Sequence, residues 1–381
     1  MNECYVQCIT ASPPAWERGG PTRLSHSYIG LAKNRFSEIR LLTSGRFQSV
    51  ENVATAVGLE PSCVLMLKSL SSKYPISVPR FANFCALAEI LRYERVYLHL
   101  LEFKSTLTIY AFLLKCIFPD KVVLIHSVFG QISTTSSVNL LDRLLLKYYA
   151  KFIDLIICQS ESEKDSVVFS LKNITARLPS IRISDLEVLD LPKPNSGSVP
   201  FIREALLRKN HIKALFLGRV VREKGVLEGI NFLSKFSDET KSIEISVVGP
   251  FLDSKYESEL EFAIQKCRLF SDYHRFQLQN PALRYEMYLD NDIFFILPTV
   301  KEESSLASIE ALLCGCKIII NDNCIFSNVR NYPSLAYVTD SQEINSNFID
   351  WLNSDISFTE LLNARTQFVE DAARRFLGYF D

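Results

Sequence analysis

Short apolar, β-rich runs alternate along this chain with longer stretches whose apolar residues recur every three or four positions. The runs Tyr5–Thr10, Arg40–Thr43 and Cys63–Lys68 predict strands, followed by a helix over Phe81–Arg92. Val96–Leu101 and Lys121–Ile125 predict strands on either side of a helix over Ser105–Phe118. The amphipathic stretch Asn139–Phe152 precedes a strand at Asp154–Cys158, and a further helix opens at Ser160 with Glu163 at capping-box spacing. After LPKPNSGSVP at 191–200, rich in Pro, Gly and Ser, the rhythm restarts with strands at Lys213–Leu217, Glu244–Val248 and Ile293–Leu297 and a helix over Lys255–Cys267. Strands alternating with helices predict parallel sheets, so the expected fold is α/β with two of them. The expected domains are 1–195 and 196–357, with the last helix, Phe358–Phe380, crossing back onto the first (about 358–381).

Composition narrows the class. A chain of 381 residues that is 48% hydrophobic can fill two cores. A formal net charge of -1 argues against a dedicated nucleic-acid binder. Residues 1–193 carry 22 Lys and Arg against 17 Asp and Glu, so the first half is mildly basic. Arg143, Lys147 and Lys151 form one ridge there; it reads first as the solvated face of a crossover helix and second as a peripheral contact with an anionic membrane surface or acceptor. The opening MNECYVQCIT has neither a basic leader region nor a long apolar core, and ten cysteines lack paired spacing. The expectation is therefore a cytoplasmic protein with reduced thiols. The apolar run Leu107–Phe118 is broken by Lys115 and is too short to span a bilayer.

Candidate chemistry gathers around LPTVKEESSLASIEALLCG, residues 297–315. It reads as a strand exit at Pro298, a polar loop, and a helix carrying Leu306, Ile309, Leu312 and Leu313 on one face and stopped by Gly315. The start of such a helix favours an anion. Glu302 in the loop and Glu310 in the helix are expected to face one pocket, which suits hydroxyl-bearing ligands such as a sugar or ribose. A second site is GRVVREKG at 218–225, where Gly218 allows a tight exit and Arg219 and Lys224 can converge on a diphosphate. Gly19 and Gly20, after the first strand, allow backbone to approach a phosphate or sugar, or simply make a turn. His126 stands at the carboxyl end of a strand, where it can meet a sugar hydroxyl or phosphate or cap a carbonyl. Asp290-Asn291-Asp292 precedes its strand rather than following it, and reads as a turn instead of a metal site. Cys314, Cys316 and Cys324 lack a common zinc spacing.

In LFLGRVVREKG and LPTVKEESSLASIEALLCG the chain resembles retaining glycosyltransferase family 4, also called glycosyltransferase group 1. That resemblance implies the GT-B fold, two Rossmann-like domains whose parallel sheets face a central cleft. It implies that Arg219 and Lys224 hold the nucleotide diphosphate, that Glu302 meets the donor sugar and Glu310 the ribose, and that His126 lies near the reacting sugar. Gly19, Gly20, Gly218, Ser304, Ser305 and Leu306 inherit donor-side positions. Where the family has a small residue after the first glutamate, this chain has Glu303. The implied partners are a nucleotide-diphosphate-sugar donor and a glycan or lipid-linked acceptor, with no metal or other cofactor.

Overall fold

The computed structural model describes residues 2–9, 20–44, 49–67, 87–101, 106–127, 148–158, 161–175, 182–185, 211–235, 242–267, 270–276, 281–302, 305–324, 327–339 and 346–380. The chain divides into two compact units, Met1–Asp190 with Asp371–Asp381, and Leu191–Glu370.

The first unit is a parallel sheet of β1 (Glu3–Ile9), β2 (Glu38–Ser44), β3 (Val64–Leu67), β4 (Arg95–Leu100), β5 (Val122–Ser127), β6 (Leu155–Cys158) and β7 (Arg182–Asp185). Its order is β3-β2-β1-β4-β5-β6-β7, so the direction of winding reverses between β1 and β4. Period-two alternation sends Cys4, Val6 and Cys8 of β1 into a core with Val96, Leu98, Leu124 and Ile156. Tyr5, between them, belongs to a different cluster: its hydroxyl lies 2.6 Å from His99 Nδ1, and His99 Nε2 lies 2.7 Å from Ser127 Oγ. The returning C-terminal segment packs here, with Phe376 5.1 Å from Tyr28 and Phe380 4.9 Å from Phe36 and 6.0 Å from Tyr5, centroid to centroid. The last helical run is not uniform. It is α-helical over Phe358–Arg365 and Ala372–Leu377 and widens to a π-helix over Thr366–Asp371, so the chain changes unit at that widening rather than at residue 358.

The second unit is a parallel sheet of β8 (His211–Leu217), β9 (Ser242–Val248), β10 (Phe270–Phe276), β11 (Ile293–Ile296), β12 (Lys317–Asn321) and β13 (Ala336–Thr339), in the order β10-β9-β8-β11-β12-β13. β11 is buried throughout, which is why it reads as a continuous apolar run. Asp292 is a fastener at its entry. Its Oδ2 accepts from Lys213 N at 3.1 Å, its N–H donates to Lys213 O at 2.9 Å, and its carbonyl accepts from Lys317 N at 3.0 Å. Within the Asp-x-Asp, Asp290 ends the helix Pro281–Asp290 and Asp292 ties β11 to β8 and β12. Lys317, 2% exposed, reaches the end of the helix Ser346–Asn353 and donates to the carbonyls of Trp351, Leu352 and Ser354. Of the residues singled out above, Arg143, Lys147, Ser160 and the linker 191–200 lie outside the described ones. Among the described residues, no helix is long and apolar enough to cross a membrane.

His99 and His126 are fully buried, and burial pulls both down to about 3, with their mutual proximity adding to the effect at His99. Both are therefore neutral in the fold and take up protons on unfolding at any pH between about 3 and 6.5. The sign follows: their contribution is complete above pH 6.5 and declines as pH falls, by about 1.36 kcal/mol per histidine per pH unit. Urea titrations from pH 7 to pH 4 are expected to show this slope, with uptake of about two protons on unfolding near pH 5. His126→Asn is expected to remove about one of them.

Candidate functional site

In open α/β sheets, ligands bind beyond the carboxyl ends of the strands, where the winding reverses. In the second unit that point lies between β8 and β11. Four loops leave the sheet around it: Gly218–Gly225 after β8, Gly249–Asp253 after β9, Leu297–Glu302 after β11 and Asp322–Cys324 after β12.

The first two are zipped together. Gly218 N donates to Val248 O and Val220 N to Pro250 O, each at 2.9 Å. The need for glycine here falls on Gly249, with φ 144°, where a Cβ would lie 1.7 Å from Gly218 O. On Gly218 itself a Cβ would meet only the Phe216 ring, at 3.6 Å, so the tight exit expected of Gly218 is supplied from across the loop.

A closer approach joins the β8 loop to the β11 loop. Gly225 has φ 67°, and a Cβ there would lie 1.6 Å from the Leu297 carbonyl oxygen. Beside it Thr299 N donates to Glu223 O at 3.1 Å. On the far side Asn321 and Asn323 both donate from Nδ2 to Pro298 O, at 3.0 and 2.7 Å, and Glu302 N donates to Asn323 O at 2.8 Å. Lys224 and Glu302 are thus fixed from opposite sides by their own backbones, and Lys224 Nζ forms an ion pair with Glu302 Oε1. Cys324 lies beneath, buried, with its thiol pushed up to about 12 by burial and so protonated at neutral pH.

The cations of the β8 loop divide in role. Arg222 pairs with Glu259 at 2.7 Å and sits 4.9 Å over the Tyr256 ring. Tyr256 in turn accepts from Leu227 N at 3.1 Å, capping the helix Val226–Ser234. Arg222 thus ties the β8 loop to the helix Ser254–Lys266. Arg219 is exposed and makes no ion pair among the described residues.

The helix Leu306–Leu313 starts at Ser305, whose hydroxyl accepts from Ser308 N at 3.3 Å and Ser308 Oγ at 2.9 Å, and it ends before Gly315 at φ 76°. At its first turn, Leu306 N and Ala307 N have no intrahelical acceptor. Glu310 is 2% exposed; Arg284 Nη2 lies 3.2 Å from its Oε1, and Tyr288 OH donates to its Oε2 at 2.9 Å. The two glutamates therefore each have a cation of their own. Gly19, Glu303 and Ser304 lie outside the described residues; Gly20 opens the helix Gly20–Ala32 of the first unit. His126, also in the first unit, is in the carboxyl half of β5 as expected, fully buried, its ring edge-on to Tyr149 at 6.0 Å.

Sequence reasoning missed Arg284, Tyr288, Thr299, Asn321 and Asn323. The signals were present: an Arg and a Tyr four apart in PALRYEMYLD share one helical face, and KIIINDN ends an apolar strand in side chains that bind loop carbonyls.

Residues 199–375 match the family described as glycosyl transferases group 1. No curated protein sequence matches the chain. The fold is that of GT-B glycosyltransferases. It is similar to that of the Anabaena protein Alr3699/HepE in complex with UDP and glucose, with 14% identity, a TM-score of 0.69 and coverage of 99% of this chain and 98% of that one. The corresponding values for sucrose-phosphate synthase (tll1590) from Thermosynechococcus elongatus are 12%, 0.67, 99% and 98%. For a glycosyltransferase from Rickettsia africae they are 13%, 0.68, 98% and 96%.

Two glycines with similar φ separate close approach from backbone strain. Gly225→Ala must displace the Leu297 carbonyl, whereas at Gly315 the nearest atom to a new Cβ is Leu361 Cδ2 at 4.0 Å. Gly315→Ala is expected to cost about 1–2 kcal/mol, and Gly225→Ala more than about 3 kcal/mol, in urea unfolding of the full chain.

Proposed function

We propose that the protein is a glycosyltransferase that takes a sugar from a nucleotide-diphosphate-sugar and passes it, with retention of anomeric configuration, to a glycan or lipid-linked acceptor. The observation that carries this reading is Lys224 and Glu302, held side by side at the point where the second sheet reverses. The family match over residues 199–375 supports it, as does the likeness to a protein crystallised with UDP-glucose.

Arriving diphosphate takes Lys224 from Glu302, and Arg219 supplies a second cation. Freed of its partner, Glu302 accepts hydrogen bonds from the sugar hydroxyls. Glu310 accepts from the ribose, while the backbone at Gly218 and the helix start at Ser304, Ser305 and Leu306 line the phosphates and sugar. In the first unit, neutral His126 offers a ring nitrogen to the reacting sugar, and Gly19 and Gly20 approach phosphate or acceptor. The bond from anomeric carbon to diphosphate breaks as the acceptor oxygen bonds to the same face, and the acceptor's proton passes to the leaving phosphate. Two cations stabilise most where charge grows, which is on the departing diphosphate, so the step proceeds without a metal. Such a reaction belongs to the assembly of surface polysaccharide or other glycoconjugates.

The test is sugar release or transfer by the full chain across uridine, guanosine, adenosine and thymidine diphosphate sugars. Lys224→Ala is expected to lower turnover by roughly 100-fold or more, and Glu302→Gln by a similar factor, against little change for Lys266→Ala. The reading fails if no nucleotide sugar binds or turns over, or if the Lys224 and Glu302 variants keep full activity.

A further inference from the structure

The Glu310 carboxylate has a rear support that nothing in its own segment encodes. Arg284 and Tyr288 lie four residues apart on the helix Pro281–Asp290, hence on one face, and that face meets the second turn of the helix Leu306–Leu313. Each takes a different oxygen: Arg284 Nη2 is 3.2 Å from Oε1, and the Tyr288 hydroxyl donates to Oε2 at 2.9 Å. The side chains of Arg284 and Glu310 are only 9% and 3% exposed. Arg284 also lies over the Tyr285 ring, 5.5 Å from its centroid.

Stability alone does not account for this pair. Desolvating two charges costs about as much as their attraction returns, and buried ion pairs are commonly no more stabilising than apolar side chains of the same size. Geometry supplies a better reason. A carboxylate oxygen accepts along its lone pairs, so one donor on each oxygen fixes the plane and rotation of the group. The two oxygens of a carboxylate held in one plane keep a fixed spacing, which suits two vicinal hydroxyls. A carboxylate without such support, at the end of two rotatable bonds beyond Cβ, would have to be ordered by the ligand itself.

We propose that Arg284 and Tyr288 are positioning residues that hold Glu310 ready to accept both ribose hydroxyls of the donor nucleotide. The proposal rests on the reading above that Glu310 meets the ribose.

The test uses the full chain and calorimetric binding of UDP, GDP and ADP, each beside its 2′,3′-dideoxy counterpart. The expected wild-type preference for the ribose form is roughly tenfold or more. Arg284→Met and Tyr288→Phe are expected to bring that preference towards the value of Glu310→Gln while leaving the affinity for the dideoxy form nearly unchanged, and Arg284→Lys is expected to restore part of it. If the Arg284 and Tyr288 variants lose thermal stability but keep the wild-type preference while Glu310→Gln loses it, the two residues are structural and the proposal is wrong. A wild type that binds diphosphates without preferring ribose removes the premise that Glu310 meets it, and the proposal with it. A wild type that binds no nucleoside diphosphate defeats the glycosyltransferase reading itself. Should Arg284→Met not fold, Tyr288→Phe decides the outcome, because it removes a single hydroxyl.

Discussion

The backbone of Gly225 rests directly on the carbonyl of Leu297, and the arrangement of the candidate site in the second unit depends on that contact. It is a contact between main chains, so no rotamer change can relieve or adjust it. The β8 loop is fixed by it to the exit of β11, and Thr299 continues the junction for two residues more. Asn321 and Asn323 then grip Pro298 from the β12 side. The strands beneath are buried, so the backbone positions of Lys224 and Glu302 follow from the sheet. Backbone mounted in this way needs no ordering when a ligand arrives, whatever exchange of partners the side chains then make.

The two glutamates of the site are treated differently, and their surroundings say how. The Lys224 and Glu302 side chains are 25% and 13% exposed, whereas those of Arg284 and Glu310 are 9% and 3% exposed. A partly exposed pair can exchange partners, because water and ligand groups replace what each ion loses. A sealed pair cannot: removing one member leaves an uncompensated charge indoors, which typically costs about 3–5 kcal/mol. The first pair suits a site that changes its contacts during a cycle, and the second suits a fixture.

Much of this was legible in the sequence. β8, β9 and β11 stand out because central strands of a parallel sheet are covered on both faces and so read as apolar runs. β7, β10 and β13 do not, being edge strands; RISD and FSDYHRF carry polar residues that no central strand would tolerate. The Gly-Arg loop and Glu302 could be singled out because loops after strands are where α/β sheets bind ligands, and Glu310 because it shares a segment with Glu302. Their partners could not. Lys224 and Glu302 are 78 residues apart, and only the strand order makes them neighbours. Glycines posed the same difficulty: sequence shows where a Cβ is missing, but not which backbone fills the space, so the demand at Gly249 was assigned to Gly218.

The C-terminal segment bears on how the protein comes to be folded at all. Phe376 and Phe380 cover Tyr5, Tyr28 and Phe36 in the first unit, yet the ribosome makes them only after the whole of Leu191–Glu370. Throughout synthesis of the second unit, the first is left with an uncovered aromatic surface. The unit translated first is therefore completed last, and the nascent chain carries a sticky, unfinished face for the time it takes to add those residues, on the order of ten seconds or more at ordinary elongation rates.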